Sequence, residues 1–192
     1  MNAALLATLE TRLAESRSEW RRLADAAALD AFLAEAAWPR VADGGFAAAG
    51  LAEDGRGCTL VEGLIAETGS VILSARHPGA RRTAFLAETH FALAAEECLH
   101  ATLADYFAPA HTEPAVGAGT PGGVAGGIDP AAWRARAGNA LTLIVGPSRT
   151  ADIEKTLVLG AHGPRRLVVA AAPAALLATR FDAALLALEA RP

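Results

Sequence analysis

Lysine is almost absent from this chain: Lys155 is the only one among 17 basic residues. Cysteine is scarce too. Cys58 and Cys98 are too few and too far apart for a disulfide framework or for an iron–sulfur cluster held by this chain alone. Aromatic residues make up only 5% of the sequence. No long hydrophobic run is present: the longest uncharged apolar stretch, Leu167 to Ala178, is interrupted by Pro173 and falls short of the ~20 residues a bilayer crossing needs. The first residues, Met1-Asn2-Ala3, lack a positive n-region, and Glu10 precedes any long apolar stretch, so no secretory signal is expected. Positive charge is not in excess either. A net charge of −4 without aromatic residues interleaved among basic ones argues against nucleic-acid binding.

What is present is alanine, about a quarter of the 192 residues. It explains how the apolar fraction reaches 53% and the mean hydropathy +0.28 without a membrane signal. Together with the arginine-for-lysine bias, it looks like the codon usage of a GC-rich genome. The length suits one domain with a full core, and 20% charged residues do not suggest disorder. The expectation is a soluble, cytoplasmic protein.

Residues 3 to about 38 read as helix, with Leu6, Leu9, Leu13, Trp20, Leu23 and Ala27 on one face, a break at Ser16 or Ser18, and a stop at Pro39. A glycine-bearing link, Asp43 to Gly57, follows. Leu64–Glu67 and Ser70–Leu73 flank Thr68-Gly69 and predict a hairpin with a two-residue turn. A strand is expected over Phe91–Ala95, a helix over Cys98–Phe107, and a loop over the Gly/Pro/Thr-rich Pro109–Pro130. Leu141–Val145 reads as a buried strand, 151–159 as a helix, and Leu167–Ala170 as a strand. A final amphipathic helix starts near Pro173. Strands separated by helices predict an α/β fold with a partly parallel sheet.

Several motifs have ordinary explanations. Gly117-x-Gly119-x-x-Gly122 contains Pro121 and opens no helix, so it reads as a loop rather than a dinucleotide fingerprint. Cys98 and His100 lie two apart on the expected helix and point apart, so with His90 and Glu96 they make no metal site. A buried cysteine and a surface histidine are expected there. Ser148 is not in a G-x-S-x-G elbow, because Thr150 stands where the second glycine belongs. The stretch Arg76 to Arg82 is either an anion-binding loop or a solvated turn.

Residues 141–164 carry more. A strand, a Gly146-Pro147 turn, Ser148, Arg149, and then a helix with Thr150 as N-cap and Asp152 and Glu154 in its first turn would offer backbone N–H groups and a guanidinium to an anion. The same residues also make a well-capped structural turn. Both readings stand.

Gly146-Pro147-Ser148-Arg149-Thr150-Ala151-Asp152-Ile153-Glu154, followed by Leu159-Gly160-Ala161-His162-Gly163-Pro164, resembles the signature of the LUD-domain family and, more narrowly, of its lactate-utilisation protein C branch. Ala66-Glu67-Thr68-Gly69 and His90 agree with it; Ala87, where the family tends to carry proline, departs from it. The resemblance spans roughly residues 57–172. It implies an α/β sheet layered with helices, like the NagB/RpiA/CoA-transferase group. Residues 1–42 would form an N-terminal helical leader packing on a LUD domain over 43–192. It further implies a component of an L-lactate-to-pyruvate oxidising system, binding a small carboxylate or phosphate ligand. The two partner proteins would carry the iron–sulfur clusters, and this chain no cofactor or metal. Glu67, Asp152 and His162 would be catalytic: Glu67 or Asp152 as general base, His162 as acid–base partner. Thr68, Gly69, Gly146, Ser148, Arg149, Thr150, Glu154 and Gly163 would bind ligand, with Arg149 clamping a carboxylate. Two other classes remain open. One is a free-standing CoA- or nucleotide-dependent transferase or ligase, with Glu67 as nucleophile. The other is a non-enzymatic scaffold whose N-terminal helices dock on partners or on a second copy.

Overall fold

The computed structural model describes residues 2–75, 77, 79–108, 140–151, 157–159 and 163–186. The chain starts with helix α1 (Ala3–Glu15), where the Asn2 side chain accepts from the Ala4 N–H at 3.0 Å and caps the first turn. Leu9 and Leu13 are its fully buried residues. Arg17 then takes a left-handed conformation (φ 61°) and turns the chain into strand β1 (Glu19–Arg22). The continuous helix expected over 3–38 is thus two helices with a strand between them. Trp20 pairs with Val169 in a parallel ladder instead of sitting on a helical face. The second helix, α2 (Ala26–Glu35), is capped by Asp25 and buries Leu29, Phe32 and Leu33.

The expected link 43–57 contains strand β2 (Ala49–Leu51) and runs into β3 (Arg56–Leu60). A short hairpin follows, β4 (Gly63–Ile65) and β5 (Ser70–Ser74). Its turn is longer than expected: Ile65 pairs with Ser70, so Ala66 to Gly69 all lie between the strands. Helix α3 (Ala80–Leu86) leads to β6 (Thr89–Ala95). The helix expected over 98–107 is instead a 3-10 turn (Glu96–Cys98), strand β7 (Leu99–His100) and helix α4 (Leu103–Phe107), which starts at a Thr102/Asp105 capping box. Strand β8 (Leu141–Ile144) follows the undescribed stretch that holds the 117–122 glycines.

The helix expected over 151–159 is not formed. Strands β9 (Arg149–Ala151) and β10 (Leu157–Leu159) pair antiparallel, with Thr150 opposite Val158, so Thr150 caps no helix and the expected anion site at a helix N-terminus is gone. Asp152 and Glu154 lie outside the described residues. Strand β11 (Arg166–Ala172) agrees with expectation. The final helix is two short pieces, Ala174–Leu177 and Ala183–Leu186.

Two mixed sheets result. The first runs β1-β11-β6-β3-β2, parallel except for β2, and the second runs β7-β4-β5-β8. In the first sheet, β11 and β6 are covered on both faces, which is why they tolerate nearly continuous apolar sequence. On one face Phe91, Leu93, Val168 and Ala170 meet Phe32, Trp38 and Phe181 from the helices. On the other, Ala92, Ala94, Leu167 and Val169 meet α1, α3 and the second sheet through Leu13, Ala84, Leu64 and Leu73. Alanine suits that second face because small side chains let a helix and a sheet approach closely. Strand β8 is not the buried strand expected of 141–145. It ends the second sheet, with Leu143 41% and Val145 53% exposed. Among the described residues no helix is long and apolar enough to cross a membrane.

Candidate functional site

The turn at 66–69 and the turn after β8 come together through backbone geometry. Val71 pairs with Ile144 across β5 and β8, and two more residues along that antiparallel register set Gly69 opposite Gly146. Both glycines have positive φ (66° and 139°) and both pack on the end of α1. A Cβ at Gly69 would fall 2.9 Å from Arg12 Cβ, and one at Gly146 would fall 3.0 Å from Ser16 Cβ and 3.2 Å from the Ser16 carbonyl oxygen. Only glycine satisfies both the dihedral and the contact. Arg149 fastens the same place by donating from Nη2 to the Ser16 carbonyl at 2.7 Å. Its side chain therefore braces the junction between α1 and the second turn.

The third segment joins through the backbone. Ser148 N–H donates to the Pro164 carbonyl at 2.7 Å, and Gly163 faces Ser148, where an added Cβ would lie 3.4 Å from Ser148 Cβ. Between this junction and α3 lies a cavity of about 200 Å³. Its polar part is Thr142, Ser148, Gly146 and Gly163; its apolar wall includes Ala84, Phe85 and Ile144. Gly146, Ser148 and Gly163 are thus brought together as expected. Thr68 and Gly69 lie in the neighbouring turn, where Thr68 Oγ1 and Ser70 Oγ are 2.6 Å apart. Glu67 is exposed there, its N–H donating to the Ala101 carbonyl, and it does not line the cavity. His162 lies outside the described residues, like Asp152 and Glu154, and of Thr150 only the backbone is described.

A second cavity of about 470 Å³ shares Phe85 and Thr142 with the first and continues it toward His77, Arg81 and Arg82. This is the stretch read as an anion loop or a solvated turn; Arg76 and Pro78 of it lie outside the described residues. Two larger depressions of about 750 and 720 Å³ sit around Phe46 and Arg180 on the aromatic side of the first sheet. They contain none of the signature residues.

Beneath α3 is a group whose chemistry the sequence did not reveal. His90 on β6 lies between Gly57 and Leu167 in the ladder and is fully buried. Its Nε2 is 2.8 Å from Thr59 Oγ1, and its Nδ1 has no hydrogen-bond partner. Burial pushes its pKa down from 6.5 to about 4, so the ring is neutral at physiological pH. Gly57 lets α3 settle over it: a Cβ there would strike Ala87 Cβ at 2.6 Å and Thr83 Cγ2 at 2.9 Å. Glu62 was also missed. It is buried and accepts from the Tyr106 hydroxyl at 3.2 Å, and the Tyr106 ring meets the half-buried His100 edge-on. A lone glutamate in an apolar run was the only sequence signal. Cys98 is buried as expected. Among the described residues no cluster of histidine, cysteine, aspartate and glutamate could hold a metal ion.

Comparison with known proteins places this geometry. The LUD domain profile matches residues 57–170, more than half of the chain. The chain is similar to a protein named lactate utilization protein C from Geobacillus thermodenitrificans, at 29% identity over 110 residues. That match covers 57% of this chain and 39% of the relative, so the matched region spans well under half of the relative's length. Among solved structures, a DUF162 family protein from Deinococcus radiodurans has a similar fold, with a TM-score of 0.52 at 19% identity. The match covers 88% of this chain and 97% of that one.

Proposed function

The chain belongs to the LUD-domain family, and on that premise we propose that it serves an L-lactate utilisation system, binding a small carboxylate and working beside iron–sulfur partner proteins. The observation that supports this reading is the cavity of about 200 Å³ at which three signature positions, Gly146, Ser148 and Gly163, converge. It is smaller than the ~300–1,000 Å³ typical of drug-sized ligands, a size suited to a three-carbon acid. The Ser148 and Thr142 hydroxyls would hold the carboxylate and hydroxyl or keto oxygens, and Ala84 and Phe85 would cover the methyl group. Proton transfer falls to Asp152 and His162, which flank Ser148 and Gly163 in the signature. Glu67, on the exposed turn, is the weaker base, and Arg149 serves through its brace on Ser16. The chain would carry no cofactor of its own, electrons passing to clusters on the partners.

The test is thermal unfolding with L-lactate, D-lactate, pyruvate and acetate. A ligand at about 100 times its Kd adds about 2.7 kcal/mol, which for a chain of this length moves Tm by roughly 5–10 °C. A shift with L-lactate or pyruvate that Ser148→Ala abolishes is the expected result. Absence of any shift would favour the scaffold reading, and a shift unchanged in Ser148→Ala would place the ligand elsewhere.

A further inference from the structure

We propose that the cavity continuing past Phe85 is a second ligand site, which binds a phosphorylated organic molecule through Arg81 and Arg82. It does not depend on the lactate reading, because none of the signature residues lines it.

The electrostatics carry the argument. The chain is acidic overall, and six of its described arginines (Arg12, Arg21, Arg22, Arg56, Arg166 and Arg180) are each spent on a carboxylate. Arg81 and Arg82 are different. They sit side by side on α3 with no carboxylate ion pair among the described residues, and both line a cavity of about 470 Å³. The buried His77 contributes a third nitrogen-bearing wall. Two adjacent guanidiniums leave two positive charges for a ligand. A carboxylate offsets one of them, whereas a phosphate ester carries about −1.5 to −2 and accepts from both forks.

Size and lining show that phosphate alone does not fill the space. The volume lies in the range of organic ligand pockets, and one side is apolar, formed by Ala75, Ala140 and Phe85. The Phe85 ring is 49% exposed, an unusual position for a large aromatic on a sparsely aromatic chain. The Arg81 guanidinium carbon stands 5.9 Å from its centroid, which holds ring and charge together as one wall. Such a surface fits a flat or apolar group attached to a phosphate, as in a nucleotide. Because Phe85 and Thr142 also bound the smaller cavity, a ligand seated here would lie alongside the proposed carboxylate.

Isothermal titration calorimetry on the full chain tests this with ADP, pyrophosphate, adenosine and acetate. ADP should bind more tightly than pyrophosphate, and adenosine and acetate should bind far more weakly than either. Arg81→Ala and Arg82→Ala should each weaken ADP binding by about tenfold or more, the loss of one charge-assisted contact. Arg81→Lys and Arg82→Lys, which preserve charge on an exposed helix face, should retain part of it. Phe85→Ala should weaken ADP while leaving pyrophosphate nearly unchanged. The L-lactate response should survive Arg81→Ala, so the two sites fail or succeed separately. No heat with ADP or pyrophosphate at millimolar concentration would overturn the proposal. So would ADP binding that is unchanged in the Arg81→Ala/Arg82→Ala double variant.

Discussion

Protonating His90 should unfold this protein from the inside. The imidazole is fully buried between β3, β6, β11 and α3, with Thr59 as its single hydrogen-bond partner, and burial lowers its pKa from 6.5 to about 4. In the unfolded chain the ring titrates at its ordinary value. Between the two values the unfolded state binds a proton that the folded state refuses, so stability rises with pH through that window. The contribution is fully present above pH 6.5 and is lost as the pH falls toward 4. At 1.36 kcal/mol for each pH unit, the drop from 6.5 to about 4 amounts to about 3 kcal/mol. By about pH 4.5 roughly 2.5 kcal/mol of it is gone. Lowered carboxylate pKa values at Glu19, Asp30, Glu35 and Asp54 also cost stability in acid, but at lower pH. His90→Gln separates the two effects, because its amide can still reach Thr59 and does not titrate. Urea unfolding at about pH 8 and about pH 4.5 should show the wild type losing about 2.5 kcal/mol more than the variant. Equal losses in the two proteins would refute the reasoning.

Other consequences are simpler to measure. Gly146→Ala forces a side chain onto Ser16 at a φ of 139° and should cost about 1–3 kcal/mol in denaturant unfolding, whereas a cost near zero would mean the turn does not rest on α1. The Cys58 thiol, pushed up to about 12 by burial, should resist a disulfide reagent at neutral pH until the protein unfolds; rapid labelling of the native state would contradict its placement. Removing residues 1–23 deletes α1 and β1 and uncovers Leu167 and Val169, so circular dichroism should show loss of cooperative thermal unfolding. A cooperative transition near the wild-type Tm would show that the first sheet is complete without β1.

The elements legible in the sequence were those whose pattern is local. Strands β6 and β11 are short apolar runs that read the same way in isolation as in the sheet, and Asn2 and Asp25 cap where a cap was needed. Glu19–Arg22 is different. Its alternation of charge and Trp20 also satisfies a helical period, and only the ladder to Val168–Ala171 decides for strand. The same applies to 149–159, where Thr150, Asp152 and Glu154 imitate a capped helix start while β9 and β10 pair with each other instead. For the site, the signature positions Gly146, Ser148 and Gly163 were legible because their spacing is specific. Arg81, Arg82 and Phe85 were only a charge run, since nothing local showed that they share a cavity with β8.

The boundaries of the family resemblance and those of the physical core do not coincide. The LUD profile begins at residue 57, yet the end of α1 is what the two signature turns rest on. Arg12 fills the space against Gly69, Ser16 fills it against Gly146, and the Ser16 carbonyl takes the Arg149 guanidinium. Leu9 and Leu13 of the same helix are fully buried in the face that also holds Leu167 and Val169. A helix outside the profile therefore sets the distance between the turns inside it. Substitutions on α1 would alter the junction beside Ser148 without touching a signature residue. That makes the 12–16 segment, and not the signature alone, the place where cavity shape is set.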